Sequence, residues 1–164
     1  MEKQNKKPAE FREDAGSDLA APTAGASRSV LLMDDEESIL RVTGRMLELL
    51  GYAVSCARHG MEAVELFADA LEKGSPFDAV IMDLTIRGGL GGKSTVIALR
   101  QIMPDVRVIV SSGYSNDPIM SNYREYGFSN ILFKPYRIED LGHTLSQTLG
   151  ADVPRPLIDV SDAR

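Results

Sequence analysis

From Ser29 to Leu149 the chain alternates short apolar runs with stretches in which apolar residues recur every three or four positions. The runs are SVLLM (29–33), YAVSC (52–56), FDAVIM (77–82), VRVIV (106–110) and SNILF (129–133), each of the length of a strand. Between the first two, Ile39, Leu40, Thr43, Met46, Leu47 and Leu50 keep helical spacing and stop at Gly51, a residue suited to the position after a helix. Ala63, Val64, Phe67 and Leu71 repeat the pattern, as do Val96, Leu99, Ile102 and Met103 ahead of Pro104. A fourth helix is expected over Pro118–Tyr126 with Gly127 after it, and a fifth over Ile138–Leu149. Continuous apolar strands, each followed by a helix, predict a parallel sheet covered on both faces: an α/β fold of five βα units.

The flanks differ. Residues 1–28 offer only Met1, Phe11 and Leu19 as large apolar groups, too little to offset the entropy of ordering, so a flexible tail or linker is expected there. Residues 150–164 carry Pro154 and Pro156 and read as a second tail. The ordered part is then one domain, 29–149, large enough to fold without staples. No segment is long and apolar enough to cross a membrane, and the charged first residues do not resemble a secretory leader. Cys56 is the single cysteine, which rules out an internal disulfide, suits a reducing cytoplasmic setting, and is expected to act as buried apolar filler. The net charge is −6, and between Ser29 and Leu149 there are 16 acidic against 11 basic residues, which argues against direct nucleic-acid binding and for a cation site or a protein partner.

In such a sheet chemistry gathers where the strands end. The first run is followed by Asp34-Asp35-Glu36, the third by Asp83, the fourth by Ser111-Ser112-Gly113 and the fifth by Lys134-Pro135; the second, ending in Ala57-Arg58, brings nothing comparable and is expected at the sheet edge. Carboxylates near 4 Å apart repel by roughly 4 kcal/mol a pair at an effective dielectric of 20, so a positive group must sit among them. Oxygen donors without His or Cys favour Mg²⁺, and Lys134 adds an ammonium suited to a phosphoryl oxygen. A carboxylate beside a divalent ion, a hydroxyl and a lysine makes a plausible phosphoryl acceptor. Acids at strand ends also serve as helix N-caps, a plainer role for Asp34 and Asp35 taken alone. His59 and His143 read as loop and helix-surface residues.

GGLGGKST, residues 88–95, comes close to a phosphate-wrapping loop, but the glycine required five residues before Gly92 falls on Arg87. It reads better as a turn into the third helix, with glycines allowing unusual φ values.

Together LLMDDEE, AVIMDLT, VIVSSGY and LFKPY resemble the signatures of response regulator receiver domains, over nearly all of 29–149. Spacing agrees: 48 residues from Asp35 to Asp83, 29 from Asp83 to Ser112 and 22 from Ser112 to Lys134. DLTIRGGLGG looks most like receivers attached to hybrid sensor histidine kinases. The resemblance implies a flavodoxin-like (βα)5 doubly wound sheet of order 2-1-3-4-5. It implies Asp83 as phosphoacceptor, Asp35 as direct Mg²⁺ ligand, Asp34 as its ligand through water, and Thr85 as donor of a main-chain carbonyl. Ser112 would be the switch hydroxyl and Lys134 its cationic partner. Thr85 and Tyr114 would tune acyl-phosphate lifetime, Gly113 follows the switch residue, and Pro135 would follow Lys134 through a cis bond. Two positions depart from the pattern: Arg87 stands where Pro is common, and Ile131 where an aromatic ring often swings inward. An aromatic switch at Ile131 is therefore impossible, and a signal would travel through Ser112 and the helix from Pro118. The implied partners are a sensor histidine kinase or phosphotransfer protein, then an unknown downstream protein or, on phosphorylation, a second copy. Two alternatives stay open: a haloacid dehalogenase-like phosphatase, which would need an acid where Thr85 stands, and a P-loop-like nucleotide-binding domain. With no further domain expected after Leu149, the chain reads as a single-domain regulator or as part of a larger kinase.

Overall fold

The computed structural model describes residues 27–150, apart from Gly88; the two expected tails lie essentially outside the described residues. Ten elements alternate: β1 (Ser29–Met33), α1 (Glu37–Leu49), β2 (Ala53–Ala57), α2 (Gly60–Glu72), β3 (Ala79–Asp83), α3 (Gly92–Ile102), β4 (Val108–Ser112), α4 (Pro118–Ser121), β5 (Asn130–Phe133) and α5 (Ile138–Leu149). The strands form one parallel sheet in the order β2-β1-β3-β4-β5, the doubly wound arrangement expected, with β2 at an edge.

Side chains of successive strand residues leave opposite faces, so each central strand feeds two cores. Leu31, Met33, Val80, Met82, Val108 and Val110 pack with Ala63, Phe67, Val96 and Leu99 of α2 and α3. Val30, Leu32, Ile81 and Ile109 pack with Leu40 and Leu47 of α1 and Leu141 and Leu145 of α5. Both faces are thus dry, which is why β1, β3 and β4 read as unbroken apolar runs.

The ladder does not stop where hydrophobicity stops. Asp83 pairs with Ser111, and Ser112 with Phe133, so β3 and β4 run one or two residues further than their apolar segments. Pairing and burial both outlast apolarity in β4, where Ser111 and Ser112 are polar yet paired and buried. α5 has the bounds its periodicity predicts, and Gly51 follows α1 with φ 89°.

α4 differs from expectation. It is one turn, Pro118–Ser121, capped by Asp117, whose Oδ1 accepts the Ile119 N–H at 2.8 Å. Beyond Asn122 the chain makes three-residue turns, with Glu125, Tyr126 and Gly127 N–H groups donating to the carbonyls of Asn122, Tyr123 and Arg124. Ser121 and Asn122 favour turns over helix, and the tighter winding lets Tyr123 and Tyr126 both pack on the α3 side of the core. Arg100 of α3 fastens the segment by donating from Nε to the Gly127 carbonyl at 2.8 Å.

The turn from β3 into α3 also differs. Gly89, Gly91 and Gly92 have no positive φ; what Gly92 provides is closeness, since a Cβ there would lie 2.8 Å from the Asp83 carbonyl oxygen. Gly60, the first residue of α2, has the same role against α3: its N–H donates to the Leu90 carbonyl at 3.1 Å, and a Cβ would overlap Thr95 Oγ1 and stand 2.5 Å from the Leu90 oxygen. Gly60→Ala should therefore lower stability by about 1–3 kcal/mol through overpacking. Gly44, inside α1 with nothing within 4 Å of an added Cβ, should gain about 0.5–1 kcal/mol as Ala. Urea unfolding of the two variants measures both signs.

Candidate functional site

Because β1, β3, β4 and β5 are paired in register, their carboxyl ends are level and their loops leave the sheet together. Asp34 and Asp35 follow β1, Asp83 closes β3, Ser112 closes β4 and Lys134 follows β5. These loops surround a cleft of about 560 Å³ lined by Asp35, Glu36, Asp83, Thr85, Arg87, Ser112, Gly113, Tyr114 and Lys134.

One oxygen from each of Asp34, Asp35 and Asp83 lies within 4.8 Å of the others. Asp34 forms the floor. It is buried, Oδ1 accepts the Glu36 N–H at 2.9 Å, and Oδ2 takes the Lys134 ammonium at 2.6 Å. Asp34 therefore does not cap α1, whose N-cap is Glu36 without a side-chain bond. Asp35 is exposed and Oδ2 accepts the Arg87 N–H at 3.3 Å. Asp83 is half-buried; Oδ1 accepts the Thr85 N–H at 3.2 Å and Oδ2 stands 3.5 Å from Lys134 Nζ.

The electrostatics follow from this crowding. Burial pushes the Asp83 carboxyl above its ordinary pKa, and Asp34 adds to the rise, against the pull of Lys134 and the Thr85 N–H. Burial alone would lower Lys134, but its hydrogen bond to Asp34 and the charges of Asp83 and Asp34 outweigh that and hold it above the usual value. One ammonium thus serves two carboxylates, and among the described residues Asp35 is met only by the Arg87 backbone N–H. The converging oxygens, with Asp35 and Asp83 open to the cleft, fit a hard divalent cation that keeps part of its water.

Ser112 is buried, its Oγ accepts the Tyr114 N–H at 3.1 Å, and its carbonyl accepts the Lys134 N–H at 2.9 Å. Tyr114 is exposed at the rim. Two residues named from sequence stand outside the cleft. Ile131 lies within β5, packed against the α3-side core. Pro135 follows Lys134 through a cis bond and lines a separate apolar groove with Ile39, Val42 and Met46. Glu36 is a cleft residue that sequence reasoning passed over, although it belongs to the same DDEE run. Lys93, the lysine of the near-miss loop, lies 5.0 Å over the Tyr126 ring and does not line the cleft, which removes the P-loop reading.

Cys56 is not buried filler. It is exposed on edge strand β2, with its thiol pushed up by partial desolvation and then by Glu48 and Glu62. His143 is a surface residue, as expected. His59 does more than occupy a loop: Nδ1 accepts the Glu62 N–H at 3.3 Å and caps α2. Among the described residues no helix is long and apolar enough to cross a membrane.

The family model for the response regulator receiver domain matches residues 30–146. The sensor kinase CckA of Brucella abortus is 30% identical over 79% of this chain, which spans 13% of that protein. The acid tolerance regulatory protein ActR of Rhizobium meliloti is 31% identical over 91% of this chain and 72% of its own length. Among solved structures, the receiver domain of a sensor histidine kinase from Pseudomonas aeruginosa PAO1, with a magnesium ion coordinated in its active site cleft, superposes with TM-score 0.67 at 25% identity, covering 76% of this chain and 99% of its own. Chemotaxis protein CheY4 of Vibrio cholerae gives TM-score 0.67 at 27% identity, over 76% and 100%. Neither a phosphatase nor a nucleotide-binding fold is needed to account for these residues, because the chain belongs to the response regulator receiver domains of two-component signalling.

Proposed function

We propose that Asp83 is the phosphoacceptor of this receiver and that the donor is a phosphohistidine on a sensor kinase or phosphotransfer protein. The observation that carries the reading is the convergence of Asp34, Asp35 and Asp83 with Lys134 held between two of them. An oxygen of the Asp83 carboxylate forms a bond to phosphorus as the P–N bond to the imidazole breaks. The electron pair of that bond leaves with the ring nitrogen, which is protonated, and the product is an aspartyl phosphate. No redox change is involved.

Asp35, Asp83 and the main-chain carbonyl of Thr85 would hold Mg²⁺, with Asp34, whose oxygens are already engaged, reaching it through water. When bound, the ion neutralises charge on the transferring group. Lys134 is placed to follow the phosphoryl oxygens, since its ammonium already faces Asp83. The Ser112 hydroxyl accepts one bond and retains its own proton to donate. That donation would draw Ser112 and the β4–α4 connection inward, and the altered surface would be read by a downstream protein or a second copy. Tyr114 at the rim and Thr85 beside Asp83 control access of water to the acyl phosphate. Self-catalysed phosphorylation and hydrolysis are the chemistry assigned here, within the cytoplasm.

Incubated with Mg²⁺ and acetyl phosphate, the protein should gain one hydroxylamine-labile phosphoryl group by intact mass. Asp83→Asn or removal of Mg²⁺ should abolish it, and Lys134→Ala should slow it by about 10²-fold; labelling of Asp83→Asn at the wild-type rate would refute the assignment. The same crowding sets a pH dependence. The folded-state pKa of Asp83 is raised, so its ionisation costs more in the folded than in the unfolded protein. That cost is present above the folded pKa and disappears below the ordinary carboxylate range. Metal-free Asp83→Asn should therefore melt higher than wild type at neutral pH, and the gap should close on acidification or on adding Mg²⁺ to the wild type.

A further inference from the structure

Arg87 lies in the loop leaving β3, and its N–H donates to Asp35 in the loop leaving β1. That bond ties the two loops together and sets Arg87 in the cleft wall, an arrangement a residue lacking an N–H could not make. Arg87 is exposed and forms no ion pair among the described residues, whereas Lys134, the other cation of the cleft, is already shared by Asp34 and Asp83. Asp34, Asp35, Glu36 and Asp83 bring four negative charges to the cleft and its floor; Lys134 and Arg87 bring two positive ones. A divalent ion would make that set neutral, and without Arg87 it would stay negative by one charge. A phosphoryl donor arrives as an anion, and the net charge of a narrow cleft governs how readily an anion enters.

We propose that Arg87 is the donor-recognition residue of this receiver: its guanidinium engages the peripheral oxygens of the incoming phosphoryl group at the cleft mouth. A planar fork of N–H donors suits two oxygens of one phosphoryl group. The proposal rests on Asp83 being the acceptor. Arg87 makes and breaks no bond; it lowers the donor concentration the cleft requires. The recognised group is the phosphoryl moiety itself, whatever leaving group it rides on.

The test measures the rate of phosphorylation against donor concentration for wild type, Arg87→Gln, Arg87→Lys and Arg107→Gln, the last an exposed arginine outside the cleft. Acetyl phosphate and phosphoramidate supply an oxygen and a nitrogen leaving group. Arg87→Gln keeps the N–H to Asp35 and should raise the half-saturating concentration of both donors about three- to tenfold, with the maximal rate within about twofold. Arg87→Lys should recover most of the loss, and Arg107→Gln should match wild type. Calorimetric Mg²⁺ affinity of unphosphorylated Arg87→Gln should tighten, because a positive charge has left the site. This opposition, weaker donor and tighter metal, is not what a damaged loop would give. Unchanged donor half-saturation, or weaker Mg²⁺ binding alongside weaker donor binding, would overturn the role of Arg87. A wild-type protein that takes up no phosphoryl group would instead overturn the assignment of Asp83, and this inference with it.

Discussion

The Lys134–Asp34 pair is the interaction on which the arrangement of the site depends. It joins the loop after β5 to the loop after β1, across the two strands that separate them in the sheet. Asp34 is buried beneath the acidic cluster, where an uncompensated charge would be costly, and Lys134 provides the compensation at 2.6 Å. Asp83 stands 3.5 Å from the same ammonium, so the cation already leans toward a second anion. The fold supplies the geometry for this: five parallel strands end at one level, and polar residues that could not be tolerated within the sheet are placed where it stops.

The surrounding packing keeps that edge in place. The turn into α3 presses Gly92 against the Asp83 carbonyl and Gly60 against the Leu90 carbonyl. Thr95, fully buried, donates through Oγ1 to the Gly91 carbonyl at 2.9 Å and steadies the same turn. On the other face the Tyr136 hydroxyl and Thr43 Oγ1 are 2.9 Å apart, joining α1 to the segment after Lys134. The cleft is thus floored by one buried ion pair and braced on both sides by close backbone contacts and short hydrogen bonds.

Much of this was legible in the sequence because the signals were strong and local. Unbroken apolar runs marked strands buried on both faces, helical spacing marked α1, α2, α3 and α5, and polar residues immediately after the runs marked the site. The misreadings have physical causes. The apolar run of β4 stops at Val110 but the strand does not, because Ser111 and Ser112 are still paired and buried although they are polar. Tyr123 and Tyr126 have helical spacing, but turns of three residues bring both to the core as well. Cys56 lies on an edge strand, and a cysteine's exposure depends on which strand flanks it, which composition does not convey. Gly92 serves close approach instead of an unusual dihedral, and only the positions of Leu84 and Asp83 reveal that.

The shortness of α4 bears on how the domain could change shape. A long helix must move as a rod or lose many hydrogen bonds at once, whereas a single helical turn followed by three short overlapping turns has few bonds to give up in any one step. Ser112 leads directly into this stretch through its bond to the Tyr114 N–H, and Arg100 holds its far end at Gly127. A pull on Ser112 would therefore be taken up first in this stretch, and α3, which holds its far end through Arg100 and shares the core on which Tyr123 and Tyr126 pack, is the element on which the strain would bear.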